Sequence, residues 1–258
     1  EANRVLIVVD GVRMNNAIYR SGHLQNSITI DPNNIDRVEI IYGSSSVGYG
    51  SDALGGVVHY YTKNPTIKDS IKIKSSFSSN FNTANSSISN SFSTNYSEET
   101  WGMFSTISIS KFGNIKMGER REHGHQSWGL NNYYSENSRY SFRAQPSYNE
   151  EPNIQQNTDY SQVDFFQKFL FKLPYQNLLT LNIQYSESSD IDRYDKLSEE
   201  KNGELKFSEW YYGPQKRLLV SPSLKFFSQN SLLKRGRITL AYQMVQESRI
   251  NRKFNSLI

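Results

Sequence analysis

Four histidines, His23, His59, His123 and His125, are the side chains of this 258-residue chain most able to hold a metal. A neutral imidazole is a common metal ligand, and the spacing of His123 and His125 in REHGHQSW would bring two rings to one ion or prosthetic group. Asn15, Asn16, Tyr19 and Arg20 cluster just ahead of His23. Tyr19 and Arg20 suit an anionic or aromatic ligand, since a guanidinium is a planar fork of donors. Catalysis is poorly served. Without cysteine there is no thiol nucleophile, disulfide or Cys-based zinc site. No G-x-S-x-G occurs, and the histidines show no Ser-His arrangement for acyl chemistry. The expected function is therefore not enzymatic, and no resident cofactor is expected.

Two kinds of element must position these residues. The first 63 residues are rich in Val, Ile and Gly. Val5–Val9 is a short apolar run closed by Asp10-Gly11, the pattern of a buried strand ending in a tight turn. Val38–Tyr42, stopped by Gly43, and Val57–Thr62 read as two more strands, with Gly48, Gly50, Gly55 and Gly56 between them. Arg37 and Glu39 alternate with Val38 and Ile40, so one face of that strand is charged. His59 lies in a strand and reads as structural.

From Ser70 the period becomes two. Ile71, Ile73, Phe77 and Phe81 alternate with Lys and Ser. Six further runs follow, anchored by Ile88–Tyr96, Trp101–Ile109, Val163–Leu173, Leu179–Tyr185, Leu218–Phe226 and Ile238–Met244. Each reaches the roughly 9–11 tilted residues that cross a bilayer as a strand. The links near Ser97–Glu99, Pro174–Asn177 and Gln229–Ser231 are short. Those near 113–160 and 189–215 are long, and only the short link at Asn82–Asn85 breaks the rhythm. Tight turns at one end and long loops at the other mark a membrane barrel. Trp101 and Tyr175 beside short turns, and Trp210, Tyr211 and Tyr212 near the second long loop, are expected to form aromatic girdles. A soluble sandwich with an aromatic core is the alternative.

Composition agrees. Mean hydropathy is −0.66 although aromatics reach 13%, which suits strands with one wet and one apolar face. No run approaches the roughly 20 apolar residues of a membrane helix. The net charge of +4 is dispersed, with no basic stripe for nucleic acid. The chain starts at Glu1 rather than Met and ends inside a strand pattern, so it is read as a piece of a longer protein.

VLIVVDGVRMNN followed by IDRVEIIYGSSSVGYGSDALGGVVHYYTK closely resembles the end of the plug domain of TonB-dependent outer-membrane receptors. The resemblance implies a small mixed α/β plug over residues 1–66 and the opening strands of a transmembrane antiparallel β-barrel over 67–258, seven of a family total of about 22. It implies active import of a scarce nutrient, such as haem or a ferric siderophore, across the bacterial outer membrane. The implied partners are the TonB–ExbB–ExbD complex, outer-membrane lipid and the cargo or a haem-carrying protein. In such receptors the loop after DGVR meets the cargo. Asn15, Asn16, Tyr19, Arg20 and His23 then become the ligand-binding candidates, with His23 a candidate axial ligand to haem iron. GVRMNNAIYRSGH looks more like haem receptors than ferric-siderophore ones, and FRAQ at Phe142–Gln145 resembles a haem-receptor box but ends in Gln145. Arg37 and Glu39 are candidate plug–barrel contacts. The chain departs from the family at Tyr42-Gly43-Ser44, where Arg-Gly-Pro is usual; that Arg often joins a plug–barrel ion-pair cluster, and Tyr42 cannot. A passive porin or adhesin, or an outer-membrane hydrolase, is the rival class.

Overall fold

The computed structural model describes residues 5–14, 24–50, 53, 55–121, 124–138, 140–227 and 234–254. Strands β1 (Val5–Val9), β2 (Val12–Arg13), β3 (Ile35–Ile41) and β4 (Gly56–Thr62) form one sheet in the order β2-β1-β4-β3. The β1–β4 pair is parallel; the other two are antiparallel. An unbroken apolar run suits β1 because both its faces are covered. Leu6 and Val8 pack with Ala53 and Val57 on one face, while Ile7 and Val9 pack with Ile30 on the other. Asp10 and Gly11 both take positive φ, 49° and 84°, the two-residue turn that Asp-Gly favours between hairpin strands. Gly56 sits at φ +132°, where an added Cβ would lie 2.9 Å from the Ile41 carbonyl oxygen. The helical turns at Leu24–Thr29, Pro32–Asn34 and Gly43–Tyr49 are all 3₁₀.

The rest is an up-and-down meander. β5 (Lys72–Asn82), β6 (Ser87–Ser97) and β7 (Trp101–Phe112) pair in sequence order. The first long connection then folds into short strands β8 (Ile115–Lys116), β9 (Tyr133–Tyr134), β10 (Ser147–Tyr148) and β11 (Ile154–Gln155), pairing β8 with β11 and β9 with β10. β12 (Tyr160–Lys172) and β13 (Leu178–Ser188) resume the meander. The second long connection holds β14 (Ile191–Asp192), the single-turn α1 (Tyr194–Leu197), β15 (Glu200–Lys201), β16 (Glu204–Leu205) and β17 (Phe207–Tyr212). β18 (Lys216–Phe227) pairs with β13, then with β19 (Arg235–Thr239) and β20 (Tyr242–Gln246), and β21 (Arg249–Lys253) crosses to pair with β17. The seventh run is thus split at Leu240-Ala241. Opposite the break, in register, lies Pro222, which has no N–H to give the ladder.

The polarity of this sheet is inverted relative to a soluble domain. Ile71, Ile73, Phe77, Ile107, Ile109, Val163, Phe165 and Leu240 are exposed, whereas Thr106, Ser108, Asp164, Lys168, Asn182, Gln184, Arg217 and Ser221 are buried. A sheet that hides hydroxyls, amides and charges and shows isoleucine and phenylalanine is built for an apolar solvent outside and a polar filling inside. The sandwich alternative would bury Ile107 of the interior strand β7 and expose Ser108, yet Ile107 is 47% exposed and Ser108 1%. Phe171 stacks with Trp101 and with Phe169 beside the short turns, and Tyr175 stands exposed on one of them. Trp210, Tyr211 and Tyr212 do not join such a girdle. They are buried in β17, where Trp210 and Tyr212 form a small core with Leu197 and Phe207 and flank the Arg193 guanidinium. The loop is long enough to build its own core, so its aromatics pack there.

Candidate functional site

The plug sheet meets the inner wall of the meander along a polar seam. Its centre is Asp10, which the β1–β2 turn holds in the left-handed region. Asp10 Oδ1 accepts from the Thr62 backbone N–H at 2.9 Å, and Oδ2 accepts from the Thr62 hydroxyl at 2.5 Å and from Asn182 Nδ2 at 2.9 Å. Lys168, on β12 and nearly sealed from solvent, reaches Asp10 Oδ2 at 3.1 Å, Thr62 Oγ1 at 2.6 Å and Asn64 Oδ1 at 3.1 Å. A buried ammonium is tolerated only when paired and hydrogen-bonded, and here one wall lysine is satisfied almost wholly by the plug.

Three further anchors flank it. Asp31 caps the Pro32–Asn34 turn through the Asn33 N–H at 2.9 Å and accepts from Ser108 Oγ of β7 at 2.7 Å. Gln162 of β12 donates to the Ile28 carbonyl at 2.8 Å, and Gln243 of β20 donates to the Arg13 carbonyl at 2.8 Å. Phe104 and Phe166 also face inward and meet edge-on with centroids 5.9 Å apart, so the seam is not wholly polar.

His59 lies inside the plug. Its Nε2 accepts from the Gly11 N–H at 3.0 Å, so the ring proton sits on Nδ1, 3.2 Å from the Tyr49 hydroxyl. Burial pushes its pKa below 6.5, against an opposing pull from Asp10. The structural reading of His59 stands, and both ring nitrogens are engaged.

Asn15, Asn16, Tyr19, Arg20, His23 and His123 lie outside the described residues. What the structure fixes is the root of the loop that carries the first five: the chain enters it from Arg13 and Met14, and the Arg13 carbonyl is held to β20. His125 is exposed, and no cluster of three metal-ligating residues occurs among the described residues. Arg37 and Glu39 pair with each other at 2.9 Å on the outer edge of the plug sheet. Arg37 also covers the Tyr61 ring at 3.7 Å. This pairing holds Glu39 below the usual carboxylate range, and neither residue touches a barrel strand among the described residues. Tyr42 is exposed. Gln145 of FRAQ lines a cavity of about 510 Å³ between the two long loops with Tyr133, Glu204 and Phe254, and Phe142 lies under Arg252.

The plug–barrel seam went unread in the sequence. Asp10 was legible only as a turn former, although Lys168 was legible as an inward residue of its strand. Their union across 158 positions has no local signal.

Residues 1–57 match the family model of the TonB-dependent receptor plug domain. This chain therefore carries a plug domain of the TonB-dependent receptor type. Among proteins similar to this chain, the hemin receptor of Yersinia enterocolitica is 50% identical over 58 residues, which are 22% of this chain and 8% of that protein. The ferric aerobactin receptor of Klebsiella pneumoniae is 42% identical over 59 residues, 23% of this chain and 8% of that protein. Beyond the plug the likeness is one of fold. The ferric enterobactin receptor of Pseudomonas aeruginosa superposes with a TM-score of 0.61 at 16% identity, covering 96% of this chain and 34% of that one. For the copper transporter OprC the TM-score is 0.64 at 11% identity, covering 95% and 30%. The chain therefore spans about a third of the length of these structures.

Proposed function

We propose that the whole protein is an energised importer of chelated iron, haem or a ferric siderophore, in the bacterial outer membrane. In this reading residues 1–66 complete the plug and 67–258 open the barrel, with 113–160 and 189–215 as external loops. The observation that carries it is the seam. A separate sheet lies against the inner wall of the meander and is held there by Asp10–Lys168, Asp31–Ser108 and single amide contacts. A polar seam of this kind exchanges its partners for water more readily than an apolar one, so force can open it. That suits a plug moved by an inner-membrane partner, the TonB–ExbB–ExbD complex, and it does not suit a passive pore. The names of the relatives, a hemin receptor, a ferric aerobactin receptor and a rhizobactin receptor, support iron chelates as the cargo class.

The cargo meets Asn15, Asn16, Tyr19, Arg20 and His23 above the plug, and His23 is an axial ligand if the cargo is haem. Expression of the full-length gene in a host lacking its own iron receptors tests this, with growth scored on haemin or a ferric siderophore as sole iron source. Growth on one of them, abolished when the proton gradient is collapsed, is expected. Import undiminished by that collapse would refute energised transport, and equal haem growth by His23→Ala would remove the axial ligand.

A further inference from the structure

Arg217 is the second residue of β18, at the long-loop end of the strand, and its side chain enters the lumen with 2% of the residue exposed. It has one hydrogen bond, from Nη1 to Gln184 Oε1 at 3.1 Å. Nε and Nη2 are buried without a partner, and no ion pair forms on this guanidinium among the described residues. The acid nearest in register, Glu187, is tied to Lys216 at 2.6 Å, and Glu247, two positions beyond the Val245 that faces Arg217 and with its own buried Oε1 unpartnered, forms no ion pair with Arg217. A buried guanidinium left without a counter-charge is costly, so something else is expected to complete it.

The vacant atoms say what. Nε and Nη2 form one edge of the guanidinium, two parallel N–H bonds that match the two oxygens of a carboxylate. Gln184 occupies the opposite side and fixes the plane. Gln184 is itself held, donating to Asn182 Oδ1 at 3.3 Å, while Asn182 donates to Asp10 of the plug. The position is apt for cargo. One inward-facing step below Arg217 on β18, Leu219 lies opposite Gln243, which holds the Arg13 carbonyl where the chain leaves for the loop of Tyr19 and His23.

We infer that Arg217 is an anion anchor on the lumen wall and that it takes a carboxylate of the cargo through Nε and Nη2. This rests on the import reading and adds a chemical requirement to it: the chelate carries a free carboxylate, as haem and citrate-type siderophores do and carboxylate-free hydroxamates do not.

The test uses the full-length receptor in detergent with four probes: haemin, haemin dimethyl ester, a ferric citrate-type chelate and a ferric carboxylate-free trihydroxamate. Wild type is expected to favour the carboxylate-bearing member of a pair by about ten- to a hundredfold, the range for a charge-assisted hydrogen bond. Arg217→Gln should erase that preference while the ester or hydroxamate binds as before. Arg217→Lys should restore only part of it, since a point charge cannot form the fork. The melting temperature of the unliganded receptor should hold or rise in Arg217→Gln, because an unpaired buried charge is removed. A preference unchanged in Arg217→Gln, or a clear fall in that melting temperature, overturns the inference: the charge would then be paired within the receptor, for example by Glu247. If wild type binds none of the four probes, the import reading fails and takes the anchor with it. Binding by wild type with no effect of Arg217 sinks the anchor alone.

Discussion

Lys168→Met is the sharpest perturbation of the seam. It keeps the length of a side chain that is nearly sealed from solvent, but removes the cation shared by Asp10, Thr62 and Asn64. Stripping one partner from a fully buried ion pair costs about 3–5 kcal/mol, because the other charge is left without compensation. Asp10 is less stranded than that. Its side chain is 21% exposed, and it keeps the Thr62 N–H, the Thr62 hydroxyl and Asn182 Nδ2 as donors. A loss of roughly 2–3 kcal/mol in the docking of the plug is therefore expected, or a roughly 30- to 150-fold rise in its opening equilibrium at 1.4 kcal/mol per decade. Native-state hydrogen exchange of the full-length receptor reads this directly. Amides of β4, including that of Thr62, should lose protection by this factor, while those of β6 and β7 should not. Asp10→Asn should cost at least as much, since it leaves an ammonium unpaired. The double variant should cost less than the sum of the two. Protection of β4 unchanged in Lys168→Met, or strict additivity of the pair, would refute the coupling of turn and wall.

Three more outcomes follow. Because burial lowers the His59 pKa below 6.5, the unfolded chain takes up its proton first as pH falls; the stability His59 contributes is full above 6.5 and declines from there down to the folded value. His59→Gln should flatten that slope in plug unfolding, and an unaltered slope would contradict it. Gly56→Ala combines a positive φ with a 2.9 Å approach to the Ile41 carbonyl oxygen and should destabilise the plug by about 1–3 kcal/mol, read as a lower urea midpoint. Trp210→Ala should cost the outer-loop core about 3–5 kcal/mol and expose residues 189–215 to protease without altering the barrel; resistance equal to wild type would argue against that core.

The barrel was the more legible half of this chain because its period is imposed residue by residue. An apolar surround on one side and the plug on the other force alternation, and each of the seven runs falls on the meander, the seventh divided between β19 and β20. Alternation misassigns residues where the filling is itself apolar. Phe166 follows Phe165, so one of the two must face inward, and the rule of apolar outside gives no reason to place Phe166 against Phe104. Trp210 and Tyr212 fill a core rather than a girdle, since a sequence shows that aromatics lie near a loop but not that the loop has a core. Arg37 and Glu39 sit two residues apart on one face, which allows the partnership they form with each other as readily as one with a wall. The anchors Asp10 and Asp31 looked like ordinary turn and cap residues, and they are; what the sequence hides is that Lys168 and Ser108 arrive to use their remaining lone pairs. Arg217 was hidden for the same reason, as one more polar residue on an inward face until burial showed that two of its nitrogens have no partner.

The inside-out polarity of the meander is what makes it a membrane wall, and nitroxide scanning along β7 in reconstituted full-length protein measures it. Labels replacing Ile107 and Ile109 should be quenched by membrane-dissolved oxygen, and labels at Thr106 and Ser108 should be shielded from it. A flat profile, or one with the two pairs exchanged, would show that these strands do not face lipid.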